Sequence, residues 1–311
     1  MTRRLALPLA VLAALTLSSS PTLASGQSGV GRLADAYDGF ILDLWGVLYD
    51  GGTVFPHALD AMARLRDGGV RLVILSNGPR RAAAVAARIE AAGIPADGYD
   101  GVMSSGEEAW QLLNDPAGDA WYRSLGRRCF FLGPDSDRAM LDGLDVKEAA
   151  TAAEADFILD LGPLDPDHTI ADYETMLAEA AARHVPMICA NPDLVVHRLG
   201  KVEICAGTMA ERYEELGGFV RWHGKPHPSV YNSSLALMSS IDKARILAVG
   251  DSFRTDIRGA NGAGLDSLLV THGIHRDDLC HADGAPDGTR IAHEAALAGA
   301  VPTWACGLFA W

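Results

Sequence analysis

The sequence has no run of lysine and arginine, no C-x-x-C pair, no internal repeat and no low-complexity tract beyond some alanine-rich segments. Each absence removes a class of protein. With a formal net charge of -14 there is no basic stripe of the kind that nucleic-acid binding requires. The five cysteines, at 129, 189, 205, 280 and 306, are odd in number and too scattered for a disulfide framework or a zinc site. Cys129 and Cys189 lie in apolar runs and read as small buried hydrophobes. A stable membrane span needs about 20 apolar residues, and Leu5 to Leu17, the longest such run, falls short.

What is present is globular. At 311 residues, 49% hydrophobic and 21% charged, the chain can bury a full core and form one large or two moderate domains. Its acidity still permits a small anionic substrate, because a few local cations and a metal override global charge within one pocket. The first 25 residues stand apart: Thr2-Arg3-Arg4, then Leu5 to Leu17, then Ser18 to Pro21 and the small-residue site Thr22-Leu23-Ala24. These are the three regions of an export leader. The expectation is a signal peptide over 1–25 and a periplasmic protein; a buried helix or a start placed too far upstream is the alternative, with a cytoplasmic location.

From Leu33 onward short β-like runs alternate with helical ones, which predicts βα units on a parallel sheet. Strands are expected at Phe40–Leu44, Val70–Leu75, Tyr99–Met103, Arg245–Val249 and Ser267–Val270, with helices over Pro56–Asp67, Arg80–Ala92 and Pro228–Ser239. A middle layer has its own expected strands at Cys129–Leu132, Phe157–Leu161 and Val185–Cys189, and helices near Asp135–Leu141 and Thr169–His184. The predicted organisation is therefore a core domain of residues 28–106 and 223–300 with an inserted α/β domain of residues 107–222. The aromatic tail through Trp304, Phe309 and Trp311 reads as packing or as an interface.

Four loops carry chemistry. Asp43 follows the first strand, Ser76-Asn77 the second, Lys225 sits in HGKPHP, and Asp251 and Asp256 lie in VGDSFRTDI after a late strand. In an open parallel sheet such loops converge on one crevice. Asp43 and Asp251 can share a hard cation, Mg2+ first among them. Ser76 offers a hydroxyl and Lys225 a compact charge to a phosphate, while Asp256 can orient Lys225 or bind metal through water. Taken singly, each is also an ordinary turn, cap or surface residue. His223, His227, His272 and His275 lack the ligand set of a transition-metal site, and Glu107-Glu108 reads as a helix start.

In order, DLWGVLYDG, LSNG, GKPHPSVY and VGDSFRTDI resemble the four motifs of the haloacid dehalogenase (HAD) superfamily of phosphohydrolases. The insert, with Asn191-Pro192-Asp193 and Ala206-Gly207, resembles subfamily IIA, over about residues 30 to 280. The resemblance implies a Rossmann-like parallel-sheet core with an α/β (C2-type) cap. It implies Asp43 as nucleophile and as metal ligand with the Trp45 carbonyl and Asp251, supported by Asp256; Ser76, Asn77 and Lys225 as phosphate-holding groups; and Asp193 as a substrate-binding cap residue. The implied cofactor is Mg2+ and the implied partner a small phosphorylated metabolite, with a cap face or the tail available for pairing two chains.

The family's usual D-x-D places a general acid/base two residues after the nucleophile; here that position is Trp45. An indole N–H has no useful acidity or basicity. The three resulting readings are a phosphohydrolase restricted to good leaving groups or taking its acid from elsewhere, a slow phosphotransfer protein, and a non-hydrolytic phosphate-binding protein. Asp50 is the nearby substitute acid, with a turn role in Asp50-Gly51-Gly52 as its alternative.

Overall fold

The computed structural model describes residues 22–23, 29–198 and 201–311. Four strands open the chain: β1 (Thr22–Leu23), β2 (Gly39–Asp43), β3 (Arg71–Ser76) and β4 (Gly101–Ser104). Seven more fall in the middle: β5 (Arg128–Leu132), β6 (Lys147–Glu148), β7 (Phe157–Asp160), β8 (Met187–Cys189), β9 (Val195–Arg198), β10 (Lys201–Ile204) and β11 (Val220–Trp222). The last three are β12 (Ile246–Gly250), β13 (Asp266–Val270) and β14 (Trp304–Cys306).

The first sheet runs β1-β14-β13-β12-β2-β3-β4 and is parallel throughout. Its central strands read as unbroken apolar runs because both faces are covered. Alternate residues serve opposite cores. Phe40, Leu42, Leu72, Ile74, Leu247 and Val249 pack on one face, and Ile41, Val73, Leu75, Ile246 and Ala248 on the other. Helix α1 (Pro56–Asp67) starts on a proline suited to its first position and turns Ala58, Ala61, Met62 and Leu65 inward. Helix α2 (Ala82–Ala92) stops at Gly93, whose φ of 111° only glycine takes cheaply. The chain steps outward from β2 to β4 and then from β12 to β14 on the other side. The order therefore reverses between β2 and β12, where a doubly wound Rossmann-like sheet opens its ligand crevice.

Between β4 and β12 the chain builds a second parallel sheet, ordered β11-β8-β7-β5-β6, and a separate antiparallel β9–β10 hairpin. Helices α3 (Ser105–Asn114) and α4 (Ala120–Ser124) lead into it. Helices α5 (Glu174–Ala182) and α6 (Ala206–Glu215) pack with one of its two apolar clusters. Helix α7 (Pro228–Ala236) follows the return to the first sheet.

Several elements differ from the sequence expectation. Asp135–Leu141 is a 3₁₀ helix, and the long helix expected from Thr169 is a 3₁₀ turn, Ile170–Asp172, followed by α5. Trp304–Cys306 is a strand, and Trp304 donates its indole N–H to the Tyr37 hydroxyl at 2.9 Å. The expected leader lies outside the described residues except for Thr22–Leu23, which pair with β14. No described helix is long and apolar enough to cross a membrane. All five cysteines are buried and none forms a disulfide among the described residues.

Candidate active site

The parallel register brings the chemistry-bearing residues together. Leu42 pairs with Val249 and Asp43 with Leu75, so Asp43, the Ser76 loop and Gly250-Asp251 emerge side by side at the strands' carboxyl ends. Lys225 enters from the segment before α7. Its ammonium donates to Asp43 Oδ1 at 2.5 Å and to Asp256 Oδ1 at 2.7 Å. Asp43 Oδ1 also accepts the Leu44 N–H at 2.7 Å. Asp256 Oδ2 accepts the Ser252 N–H at 3.1 Å, and the Asp256 carbonyl accepts the Tyr231 hydroxyl at 3.0 Å. A π-type turn over Phe253–Ile257, a feature that concentrates at functional sites, carries Asp256 back toward the lysine.

These four charged groups are almost fully shielded from solvent, Asp43 at 7% exposure, Lys225 at 3%, and Asp251 and Asp256 at 4% each. Burial and the neighbouring Asp256 push the Asp43 carboxyl well above its ordinary range, with Lys225 pulling the other way. The same causes raise Asp251 to about 7. Burial pulls Lys225 downward, but the Asp256 and Asp43 carboxylates outweigh it and hold the ammonium charged. Three carboxylates facing one ammonium leave an uncompensated negative charge in a dry place.

That excess is what a divalent cation relieves, and the donor set suits one. Oxygens of Asp43, Asp251 and Asp256 lie within 4.8 Å of one another, the only such acidic group among the described residues. All are hard carboxylate donors, which favour Mg2+ or Ca2+ over softer metals. Asp256 already spends one oxygen on Lys225 and the other on a backbone amide, so Asp43 and Asp251 are the freer ligands. Space is kept open by glycine: Gly46 has φ of 75°, and a Cβ there would fall 1.9 Å from Asp251 Oδ2.

The remaining expected residues divide. Ser76 is buried beside the cradle, its hydroxyl accepting the Gly78 N–H at 3.1 Å. The Asn77 side chain is already engaged, accepting the Lys225 N–H at 2.8 Å and donating to the Lys225 carbonyl at 3.2 Å and to Asp193 Oδ1 at 2.9 Å. Asp193 thereby joins the second sheet's loops to the first, with Arg254 3.6 Å away. Trp45 turns its indole against the Tyr49 ring, centroids 5.2 Å apart, and over Gly51. Asp50 is exposed and its Oδ1 accepts the Gly52 and Thr53 amides, which is a turn role. Tyr231 and Arg254 complete the site, and neither is expected from the motif residues taken singly. Tyr231 sits on the buried face of α7 with Val230 and Ser234, a helical spacing that is its signal, and Arg254 donates to the Pro192 carbonyl at 3.3 Å from within VGDSFRTDI.

Comparison with known proteins agrees with this geometry. Residues 40–147 match the haloacid dehalogenase-like hydrolase family and residues 222–296 a HAD-hydrolase-like family. The chain is 27% identical over 250 residues to the ribonucleotide monophosphatase NagD of Escherichia coli (strain K12), covering 77% of this chain and 90% of that one. A solved glycerol phosphate phosphatase, Rv1692 from Mycobacterium tuberculosis in complex with magnesium, shares the fold at 23% identity, covering 89% of this chain and 76% of that one, with a TM-score of 0.66. A solved hydrolase of the haloacid dehalogenase-like family from Brucella suis 1330 is 33% identical, covers 91% of this chain and 99% of that one, and superposes with a TM-score of 0.76. With that identity sustained over 91% of the chain, and with both matched segments meeting at the acidic cradle, the chain belongs to the haloacid dehalogenase-like hydrolases, subfamily IIA.

Proposed function

We propose that the chain is a Mg2+-dependent phosphohydrolase that cleaves a small phosphorylated metabolite through an aspartyl-phosphate on Asp43. The observation that carries this reading is the buried Asp43 at a strand end, held by Lys225 on one oxygen and facing Asp251 across an uncompensated negative charge. NagD, whose name describes action on ribonucleotide monophosphates, supports the substrate class.

Bound between Asp43, Asp251 and the Trp45 carbonyl, with Asp256 in support, a divalent cation would neutralise carboxylate charge and phosphoryl oxygens as the reaction proceeds. The protein's own groups do the rest. A carboxylate oxygen of Asp43 forms a bond to phosphorus as the ester P–O bond breaks, and the leaving oxygen departs with its electron pair. Lys225 and Ser76 hold the phosphoryl oxygens, and Asp256 keeps the ammonium charged and aimed. Water then cleaves the aspartyl-phosphate, releasing phosphate and restoring Asp43. Asn77 and Asp193 serve this reading by tying the inserted layer, residues 107–222, over the cradle as a cap.

Trp45 shapes the substrate range. It supplies no proton to the leaving oxygen, and Asp50 is committed to its own turn, so esters whose leaving group is stable as an anion react best. The test is turnover of an aryl phosphate and of alkyl sugar phosphates with Mg2+, beside Asp43→Asn. Aryl turnover well above alkyl, and none above background in Asp43→Asn, is the expected result. No turnover of either ester beyond that control overturns the reading. A stable acid-precipitable phosphoprotein in its place identifies a slow phosphotransfer protein.

A further inference from the structure

Two stretches carry the chain between its sheets: residues 105–127 on the way out and residues 223–227 on the return. Three buried polar side chains tie these stretches together, and none belongs to the cradle around Asp43. Glu108 on α3 is 2% exposed, His223 after β11 is 1%, and Tyr122 on α4 is 3%. Glu108 Oε2 accepts the Gly224 N–H at 3.2 Å and lies 3.1 Å from His223 Nδ1. The other ring nitrogen, Nε2, contacts the Tyr122 hydroxyl. The Nδ1 approach lacks hydrogen-bond geometry, and Nδ1 is buried with no hydrogen-bond partner among the described residues, so His223 packs against Glu108 and is held on its other side by Tyr122.

The place of Gly224 gives this trio its consequence. The His223 N–H donates to the Cys189 carbonyl at 3.0 Å, continuing the second sheet. The Lys225 N–H donates to Asn77 Oδ1 at 2.8 Å, on the first. One residue therefore spans the step between sheets, and Glu108 holds its amide. Gly224 has φ of 88°, and a Cβ there would lie 2.7 Å from both Asn77 Oδ1 and Ser105 Cβ, so the turn has little freedom. Glu108 Oε1 is buried with no partner among the described residues. An apolar side chain would fill the same space without that desolvation penalty, but it could not accept the Gly224 N–H.

We infer that Glu108, braced by His223 and Tyr122, is a positioning residue for Lys225: it fixes the Gly224 amide and through it the turn that aims the lysine's ammonium at the phosphate cradle. This rests on the reading of Lys225 as a phosphate-holding group. Placement of the inserted layer and placement of the ammonium become one event, since both depend on the same turn.

Glu108→Gln and Glu108→Leu separate this role from simple packing. Glutamine keeps an acceptor for Gly224; leucine only fills the volume. With Mg2+ present and inorganic phosphate as the probe, Glu108→Leu is expected to weaken phosphate inhibition of aryl-phosphate turnover and to raise KM, each about tenfold, while Glu108→Gln stays within about threefold of wild type. Hydrogen exchange in the peptide spanning 222–226 rises in the leucine variant and not in the glutamine one. A packing role gives the opposite ranking, with leucine tolerated and glutamine no better. Wild-type phosphate affinity together with wild-type exchange at 222–226 in Glu108→Leu overturns the inference. Should Glu108→Leu fail to fold, Tyr122→Phe, which removes the brace on His223, is expected to move both readouts in the same direction; no movement is then the overturning result. If the wild-type protein neither cleaves esters nor binds phosphate, the hydrolase reading has failed, and the exchange comparison alone decides whether Glu108 holds the turn.

Discussion

On the proposed reading, position 45 keeps what a metal needs and drops what a leaving group needs. A backbone carbonyl is offered by any residue, so tryptophan costs the cradle nothing, while its ring gains contacts with Tyr49 and Gly51. Trp45→Asp is expected to narrow the aryl-to-alkyl rate ratio by about tenfold or more, out of the 10² to 10⁴ or so that a general acid contributes, at a stability cost of about 1–2 kcal/mol for the lost ring contacts. An unchanged ratio in steady-state assays would mean that leaving-group protonation does not limit the wild-type protein. Gly46, the next residue, is fixed by a different constraint. A methyl group there collides with Asp251 Oδ2 in a backbone conformation that already disfavours side chains. Gly46→Ala is expected to weaken Mg2+ binding at least about tenfold by titration calorimetry, because Asp251 must swing away; undiminished affinity would show that Asp251 is not a ligand.

Among the elements, what was legible in the sequence followed burial. Strands β2, β3 and β12 could be read from their apolar runs because helices cover both faces, and α1 and α2 from proline and glycine at their ends. Glu107-Glu108 marked the start of α3, but the β9–β10 hairpin was not expected, because its strands carry no buried apolar run, Val195 and Val202 both being exposed. Contacts between the two sheets, which depend on partners far along the chain, were not legible either. Arg80, directly after Ser76-Asn77-Gly78-Pro79, reaches Asp137 of the inserted layer at 2.7 Å, and that carboxylate is only 4% exposed. Losing the arginine leaves a buried charge unpaired. Arg127 and Asp145, 2.7 Å apart and 70% and 78% exposed, make the opposite case. Arg80→Ala is expected to lower stability by about 1–2 kcal/mol, allowing for the solvent-facing part of its side chain, and Arg127→Ala by less than about 0.5 kcal/mol. Denaturant unfolding of the two variants checks the ranking; equal losses would mean that the Asp137 contact is no more than a surface ion pair.

Across the whole molecule, the sequence order of the motifs was enough to expect that Asp43, Ser76, Lys225 and Asp251 meet, because a doubly wound parallel sheet sends all its strand ends to one edge. It did not reveal how far the meeting point is withdrawn from water, and that depth controls the coupling between metal, protons and stability. In the folded chain Asp251 titrates at about 7, raised from 3.8 by burial and then by Asp256. A carboxyl with a raised folded-state pKa favours the fold while it is protonated. Its contribution is therefore fully present below about pH 4 and is lost as pH climbs through 7, and the upward shift of Asp43 acts in the same direction. Without metal, the melting temperature is expected to fall between pH 6 and pH 8 from this source. If Asp43 and Asp251 hold Mg2+ as proposed, the cation takes the place of the protons, and its stabilising effect is expected to grow over the same interval. Melting curves with chelator and with saturating Mg2+ at pH 6 and pH 8 should show a metal-induced rise several degrees larger at the higher pH. Asp251→Asn removes the titrating group and should flatten that difference. A rise of equal size at both pH values in the unmodified protein would mean that the cation does not displace protons from these carboxylates, and the assignment of Asp43 and Asp251 as its ligands would fall with it.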